Sequence, residues 1–159
     1  MKIFDFSFTV DASLEDVHHF HAETSALKRL SPPPIRVQLH EIEPLGEGSV
    51  STFTLWFGPL PIYWRAEHSD VSQNGFTDTQ TKGPAKYWRH THRFTPLSPE
   101  KTRVEEHIEY EHFPGLKGVL TRILFARPNL TLMFVYRAWV TRRALRRQNL
   151  RGERSLDLT

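Results

Sequence analysis

Cysteine is absent from the 159 residues. That removes disulfides, thiolate zinc centres and cysteine nucleophiles from consideration, and it suits a reducing compartment, so a cytoplasmic location is expected. A long apolar run is also missing. Spanning a bilayer takes roughly 18 or more consecutive apolar residues, and the best candidate, Leu116 to Tyr136, is interrupted by Lys117, Arg122 and Arg127. The opening MKIFDFSFTV carries Asp5 and alternates, unlike a secretory signal. No HExxH pair, Ser-His-Asp order, phosphate-cradling glycine loop or dinucleotide fingerprint occurs, so none of those common chemistries has a motif to rest on. No repeat, low-complexity segment or linker divides the chain. One domain over residues 1–150 is expected, with a basic, polar tail over 151–159.

What is present is an ordinary globular composition, 38% hydrophobic and 25% charged, ample for a single core. The net charge of +3 is concentrated. Arg137, Arg142, Arg143, Arg146, Arg147, Arg151 and Arg154 crowd the C-terminal end, with Glu153 the only nearby acid before Asp157. This reads as the solvated face of a terminal helix, whose negative end suits cations, or as a peripheral contact for an anionic membrane. The aromatic interleaving of a single-strand nucleic-acid binder is lacking there, so no nucleic acid is expected. Monomer and homodimer both remain open.

Two hydrophobic periodicities organise the chain. From Gly115 to Arg151 apolar residues recur at helical spacing: Leu116, Val119, Leu120, Ile123 and Leu124, then Leu130, Met133, Phe134 and Ala138, then Leu145. Pro128 lies between the first two runs, where it should kink or split the helix. The first run is expected to cap the core. Nearly everything earlier alternates with strand period. Phe4, Phe6, Phe8 and Val10 face opposite to Asp5, Ser7 and Thr9. Asp11 or Ser13 caps a first helix, Ser13 with Asp16 three residues on resembling a capping box, and a second short helix over residues 23–30 stops at Pro32-Pro33-Pro34. Six strands in hairpin succession follow, punctuated at Leu45-Gly46-Glu47-Gly48, Gly58-Pro59, Asn74-Gly75, Gly83-Pro84 and a loop over residues 96–101. The expected class is α+β: a curved seven-stranded antiparallel sheet wrapped around the long C-terminal helix, with two short helices after the first strand.

Several stretches carry a further likeness. They are Phe8 to Val17 entering the first helix, Leu30-Ser31-Pro32-Pro33, Trp64-Arg65-Ala66, Phe76 to Gln80, Gly83-Pro84 with Trp88 to Phe94, and Met133 to Arg137. In that element order the chain resembles the helix-grip fold of the START/Bet v 1-like (SRPBCC) superfamily, and within it the polyketide cyclase/dehydrase-like ligand-binding proteins. The likeness runs nearly end to end, to about Leu145. It implies a cavity between sheet and helix, a lipid, polyketide or aromatic ligand, and neither metal nor cofactor. The superfamily places carriers, receptors and enzymes on one scaffold, so the resemblance fixes fold more than function.

Strand parity sorts the side chains. The inward set includes Phe53, Leu55 and Phe57; Trp64 and His68; Asp78 and Gln80; Trp88, His90 and His92; and Glu106 and Tyr110. On the strand from Ser49, Val50, Thr52, Thr54 and Trp56 form an alternative face. Met133, Phe134 and Arg137 should line the same space from the helix. An apolar wall with a few convergent polar groups is the usual form of a small-molecule site. Trp64, His68, Asp78, Gln80, Trp88, His90, His92, Tyr110, Met133, Phe134 and Arg137 are therefore the candidate ligand-binding residues. Arg137 is either a fixed cation for an acidic head group or a partner of Asp78 or Glu106. His90 and His92, two apart on one strand face, are cavity polar groups or satisfied structural histidines, with a metal pair as a third reading. Catalytic candidates are His90 or His92 with Asp78 or Glu106, a histidine–carboxylate pair able to move a proton beside a carbonyl, as in a cyclase, dehydratase or isomerase.

Overall fold

The computed structural model describes the backbone of residues 1–156 and the side chains of residues 1–147. The alternating N-terminal segment forms β1 (Lys2–Val10), with Phe4, Phe8 and Val10 buried. Ser13 starts α1 (Leu14–Ala22): its Oγ accepts from the Asp16 N–H at 3.1 Å, an N-cap bond, and donates to Asp16 Oδ2 at 2.6 Å. The next helix, α2 (Ala26–Leu30), starts later than expected, because Glu23 closes α1 through a bond to His19 and leaves residues 23–25 as the joint.

The remaining strands are β2 (Arg36–Ile42), β3 (Val50–Phe57), β4 (Leu60–Ser72), β5 (Gly75–Lys82), β6 (Tyr87–Ser98) and β7 (Lys101–Glu111). They make one antiparallel sheet in the order β1-β7-β6-β5-β4-β3-β2, so the first strand closes beside the last and β2 forms the far edge. β6 runs through Pro96, where a loop was expected. Its β5 neighbour reaches only to the Gly75↔Arg93 pair, so Pro96 sits on a locally free edge and breaks no ladder bond.

Two apolar clusters fill the concave side. Phe8, Val10, Val17, Phe20, Phe76, Phe94, Val104 and Leu145 form one; Phe4, Phe53, Trp64, Trp88, Ile108, Leu130 and Phe134 form the other. Phe6 packs against both. Along β6 the inward side chains run Trp88, His90, His92, Phe94, and all are buried. A polar band thus lies between two oily ones.

The C-terminal segment is split next to Pro128, one of the two outcomes expected there, and departs from expectation in its first apolar run. It is a 3-10 turn (Gly115–Gly118), a short α3 (Val119–Leu124) and a long α4 (Arg127–Leu156), separated at Phe125-Ala126. Pro128 does not kink a continuous helix. It occupies the first turn of α4, where a missing N–H costs nothing. The Ile123 carbonyl accepts from the Ala126 N–H at 3.3 Å and from Asn129 Nδ2 at 2.7 Å, which stabilises the break. Nor does the first apolar run cap the core: Leu116 is 90% and Ile123 60% exposed, and Val119 and Leu120 are exposed too. The second run packs as expected. Phe134 is fully buried, its ring centroid 5.5 Å from Phe4 and 5.9 Å from Phe6. Among the late arginines, Arg146 and Arg147 are exposed. Arg142 is tied down, its Nε donating to the Thr9 carbonyl at 2.9 Å, and Arg143 lies 5.4 Å from the Trp139 ring. The side chains of Arg151 and Arg154, and residues 157–159 of the expected tail, lie outside the described residues. No described helix is long and apolar enough to cross a membrane.

Candidate functional site

A cavity of about 540 Å³ lies between the concave sheet face, α4 and the α1–α2 region. Phe53, Leu55 and Phe57 of β3, Trp64 and Ala66 of β4, Trp88 of β6, and Leu130, Met133 and Phe134 of α4 supply its apolar wall. Leu27, Leu30 and the Pro32–Ile35 connection complete it on the α2 side. The volume falls within the range of small-molecule sites. His21, His68, Asp78, His90, His92 and Arg137 form one polar cluster on the wall, and Glu23, Thr24, Ser31, Glu43, Ser51 and Asn129 also reach the lining.

Strand register explains the gathering. His68 lies opposite Asp78, Asp78 opposite His90, and His92 opposite Glu106. Cross-strand neighbours on one face stand about 5 Å apart, within reach of direct bonds. Asp78 Oδ1 is 2.9 Å from His68 Nε2, and Asp78 Oδ2 is 3.2 Å from His92 Nε2. Glu106 Oε2 accepts from His90 Nε2 at 2.7 Å and lies 2.8 Å from His92 Nδ1. The last pair is an ionic contact rather than an aligned hydrogen bond, since His92 Nδ1 has no partner of hydrogen-bonding geometry. His68 is further fixed by Ser49, whose Oγ and carbonyl oxygen each lie 3.0 Å from its Nδ1. The result is an alternating chain, His68–Asp78–His92–Glu106–His90.

Burial and charge divide the histidines. Burial alone would lower the pKa of His92, but the flanking Glu106 and Asp78 charges outweigh it and raise the imidazole to about 9. Burial, assisted by the His92 cation, pushes His90 down to about 4 despite its bond to Glu106. Burial likewise pushes His21 down to about 4. For His68 the opposing burial effect is overcome by the Asp78 hydrogen bond and charge, so its pKa is raised. Burial opposes ionisation of both carboxyls, yet the histidine bonds hold Asp78 and Glu106 well below the usual carboxylate range. At neutral pH the band holds two carboxylates, a protonated His92 and the Arg137 guanidinium, with His90 and His21 neutral. Because His90 donates Nε2–H to Glu106, Nδ1 is its free ring nitrogen.

Ligand atoms of Asp78, His90 and His92 lie within 4.8 Å of one another, the spacing of a divalent-metal site. A metal would need Zn–N and Zn–O contacts near 2.0–2.2 Å. To be held by Nε2 of His92 it would also have to displace the proton shared with Asp78.

Of the sequence candidates, Trp64, His68, Asp78, Trp88, His90, His92, Met133, Phe134 and Arg137 line the cavity. Three do not. Gln80 has its amide committed to the β5–β6 turn, donating to the Ala85 carbonyl at 2.8 Å and accepting from the Ala85 N–H at 3.3 Å. Gly83 permits this, since a Cβ there would meet the Gln80 amide at 2.3 Å. Tyr110 is covered by Trp88, and its hydroxyl donates to the Phe125 carbonyl at 3.2 Å. Glu106 is 3% exposed and sits behind His90 and His92, so it can orient them but not touch a cavity occupant. Strand parity also missed Phe125, in the helix break 4.7 Å from the Trp88 ring, and the proline connection at the cavity edge. His21 was legible from its place beside Phe20 on the apolar face of α1.

No family model matches this sequence, and no curated protein matches it. Solved structures do match. The ZhuI aromatase/cyclase from Streptomyces sp. R1128 superposes with a TM-score of 0.72 at 15% identity, over 92% of this chain and 94% of that one. A START superfamily protein from Mycobacterium smegmatis gives 0.68 at 13% identity, over 92% and 98%. Norcoclaurine synthase from Thalictrum flavum gives 0.65 at 17% identity, over 91% and 87%. At these identities the likeness establishes the fold: this chain has the helix-grip fold of the START/Bet v 1-like superfamily.

Proposed function

We propose that this protein binds a hydrophobic or amphipathic small molecule, of lipid, polyketide or aromatic type, in the cavity between the sheet and α4. The observation that carries the reading is the cavity itself: about 540 Å³, apolar over most of its wall, with a cluster of histidines, Asp78 and Arg137 on one part of it. Apolar burial at roughly 25 cal/mol per Å² supplies affinity, and the polar cluster fixes orientation. Several similar folds are named for small-molecule chemistry, the aromatase/cyclase and norcoclaurine synthase among them, which agrees with such an occupant. Native mass spectrometry of freshly purified protein tests the proposal. A bound small molecule released by mild denaturation is expected; a clean apo mass, with no uptake of lipid, polyketide or aromatic probes, defeats it.

A second reading, a cyclase-, dehydratase- or isomerase-type enzyme, has one observation in its favour. His90 donates Nε2–H to Glu106 and keeps Nδ1 free, the arrangement of a carboxylate-oriented general base. Against it stands the pKa near 4, set by burial and by a His92 ring whose centroid is 4.0 Å away, which makes His90 a weak base. A turnover lost in His90→Gln, with folding and ligand affinity retained, would favour catalysis; unchanged turnover would remove it. Peripheral contact with an anionic membrane is supported less by the late arginines than by the exposed Leu116, Val119, Leu120 and Ile123 beside Lys117 and Arg122, next to the cavity residue Leu124. Flotation with phosphatidylserine vesicles, lost in Leu116→Ser/Ile123→Ser, tests that contact. Absence of flotation at low salt refutes it.

A further inference from the structure

Arg137 is a charged group of the cavity left without a direct partner among the described residues. It projects from α4 beside Phe134 and lines the cavity. Its Nε is fully buried with no hydrogen-bond acceptor, and among the described residues its guanidinium takes part in no hydrogen bond and no ion pair. The nearest carboxylates do not serve it. Both oxygens of Asp78 are held by His68 and His92, and Glu106 is held by His90 and His92. They act on Arg137 only through space, and burial still lowers its pKa. Its guanidinium lies over the Phe134 ring, 5.0 Å from Cζ to centroid.

Burying a cation without a counter-ion is costly, and an apolar side chain of similar size would usually serve stability better. The guanidinium is a rigid fork of donors at the cavity wall, and the groups such a fork takes bidentately are carboxylate and phosphate; the single positive charge suits a singly charged carboxylate.

Resting on the cavity reading above, we propose that the occupant is an organic carboxylate, its apolar acyl or aryl body against Trp64, Trp88 and Phe53 and its carboxylate on the Arg137 guanidinium.

The test compares matched probes at pH 7.5: dodecanoate against dodecan-1-ol, and 2-naphthoate against 2-naphthylmethanol. Each is titrated by displacement of the neutral fluorophore N-phenyl-1-naphthylamine from wild type, Arg137→Met and Arg137→Lys. In wild type the carboxylate should bind about 10-fold or more tighter than its alcohol, as expected for a charge-assisted pair out of water. In Arg137→Met that ratio should fall to about one with alcohol affinity little changed, and Arg137→Lys should keep part of it. Arg137→Met should also melt no lower than wild type, which a residue retained for structure would not allow. A wild-type ratio near one, or a ratio that survives in Arg137→Met, overturns the assignment of Arg137 while leaving the cavity reading standing. Failure of the fluorophore and both alcohols to bind wild type overturns the cavity reading and this inference with it. Should Arg137→Met not fold, the wild-type ratio and Arg137→Lys still decide.

Discussion

Titrating stability against pH tests the buried histidine–carboxylate chain directly, because its members pull in opposite directions. The pKa of His92 rises on folding from 6.5 to about 9. A raised pKa contributes stability that is complete below the unfolded value and is lost as pH climbs through the folded one. A shift of that size corresponds to about 3 kcal/mol, lost between roughly pH 6.5 and 9. His68, also raised, adds in the same direction. His90 and His21 go the other way, each falling from 6.5 to about 4. In that window the folded state binds fewer protons than the unfolded, so about 3 kcal/mol for each is lost as pH falls from 6.5 towards 4. The depressed carboxyls Asp78 and Glu106 add further loss below their unfolded values. Stability should therefore peak near pH 6.5 and fall on both sides. Urea unfolding followed by tryptophan fluorescence at fixed ionic strength, in half-unit steps from pH 4.5 to 9.5, measures the curve. Glu106→Gln should lower stability at pH 7 by about 3–5 kcal/mol, the usual result of breaking a buried pair. It should also flatten the alkaline limb, since His92 keeps only Asp78. A wild-type curve level from pH 6.5 to 9.5, or an alkaline limb unchanged in Glu106→Gln, would refute the proton placement on His92.

Three further outcomes follow from packing and backbone. Gly75→Ala should destabilise by about 1–3 kcal/mol by thermal melting, since Gly75 has φ +140° and a Cβ there would meet the His92 carbonyl oxygen at 2.0 Å. Because the displaced strand carries His92, ligand affinity should fall as well. Phe134→Ala empties a fully buried site against Phe4, Phe6 and His90 and should cost about 3–5 kcal/mol in urea unfolding. Gln80→Leu leaves the Ala85 backbone groups without their amide and should cost about 1–3 kcal/mol with no change in probe affinity. An affinity change there without a stability change would return Gln80 to the cavity.

Most of the sheet was legible because its information is local. Alternation in β1, β4, β6 and β7 placed Phe4, Trp64, His68, Trp88, His90 and His92 on the inner face, and that is the buried face observed. Parity gives a face but not what stands in front of it. Gln80, Glu106 and Tyr110 share the inward parity, yet a turn, two imidazoles and Trp88 cover them. The C-terminal segment failed for a related reason. Helical spacing of Leu116, Val119, Leu120 and Ile123 states that one face is apolar, not that anything lies beneath it. The break at Phe125 depends on Trp88 and Trp64 receiving its ring, at 4.7 and 6.2 Å, contacts distant in sequence. The network was foreseeable as a set of residues, but the division into a charged His92 and a neutral His90 needs distances.

The claim that the cavity takes an apolar molecule is tested most directly by filling it. Ala66 lies on the wall and is 4% exposed, so Ala66→Trp projects a large side chain into the space. Equilibrium titration of wild type with N-phenyl-1-naphthylamine should give one saturable site with enhanced, blue-shifted emission. The Ala66→Trp variant, confirmed folded by circular dichroism, should bind at least about 10-fold more weakly. No saturable binding to wild type, or equal affinity in the filled variant, would contradict the account.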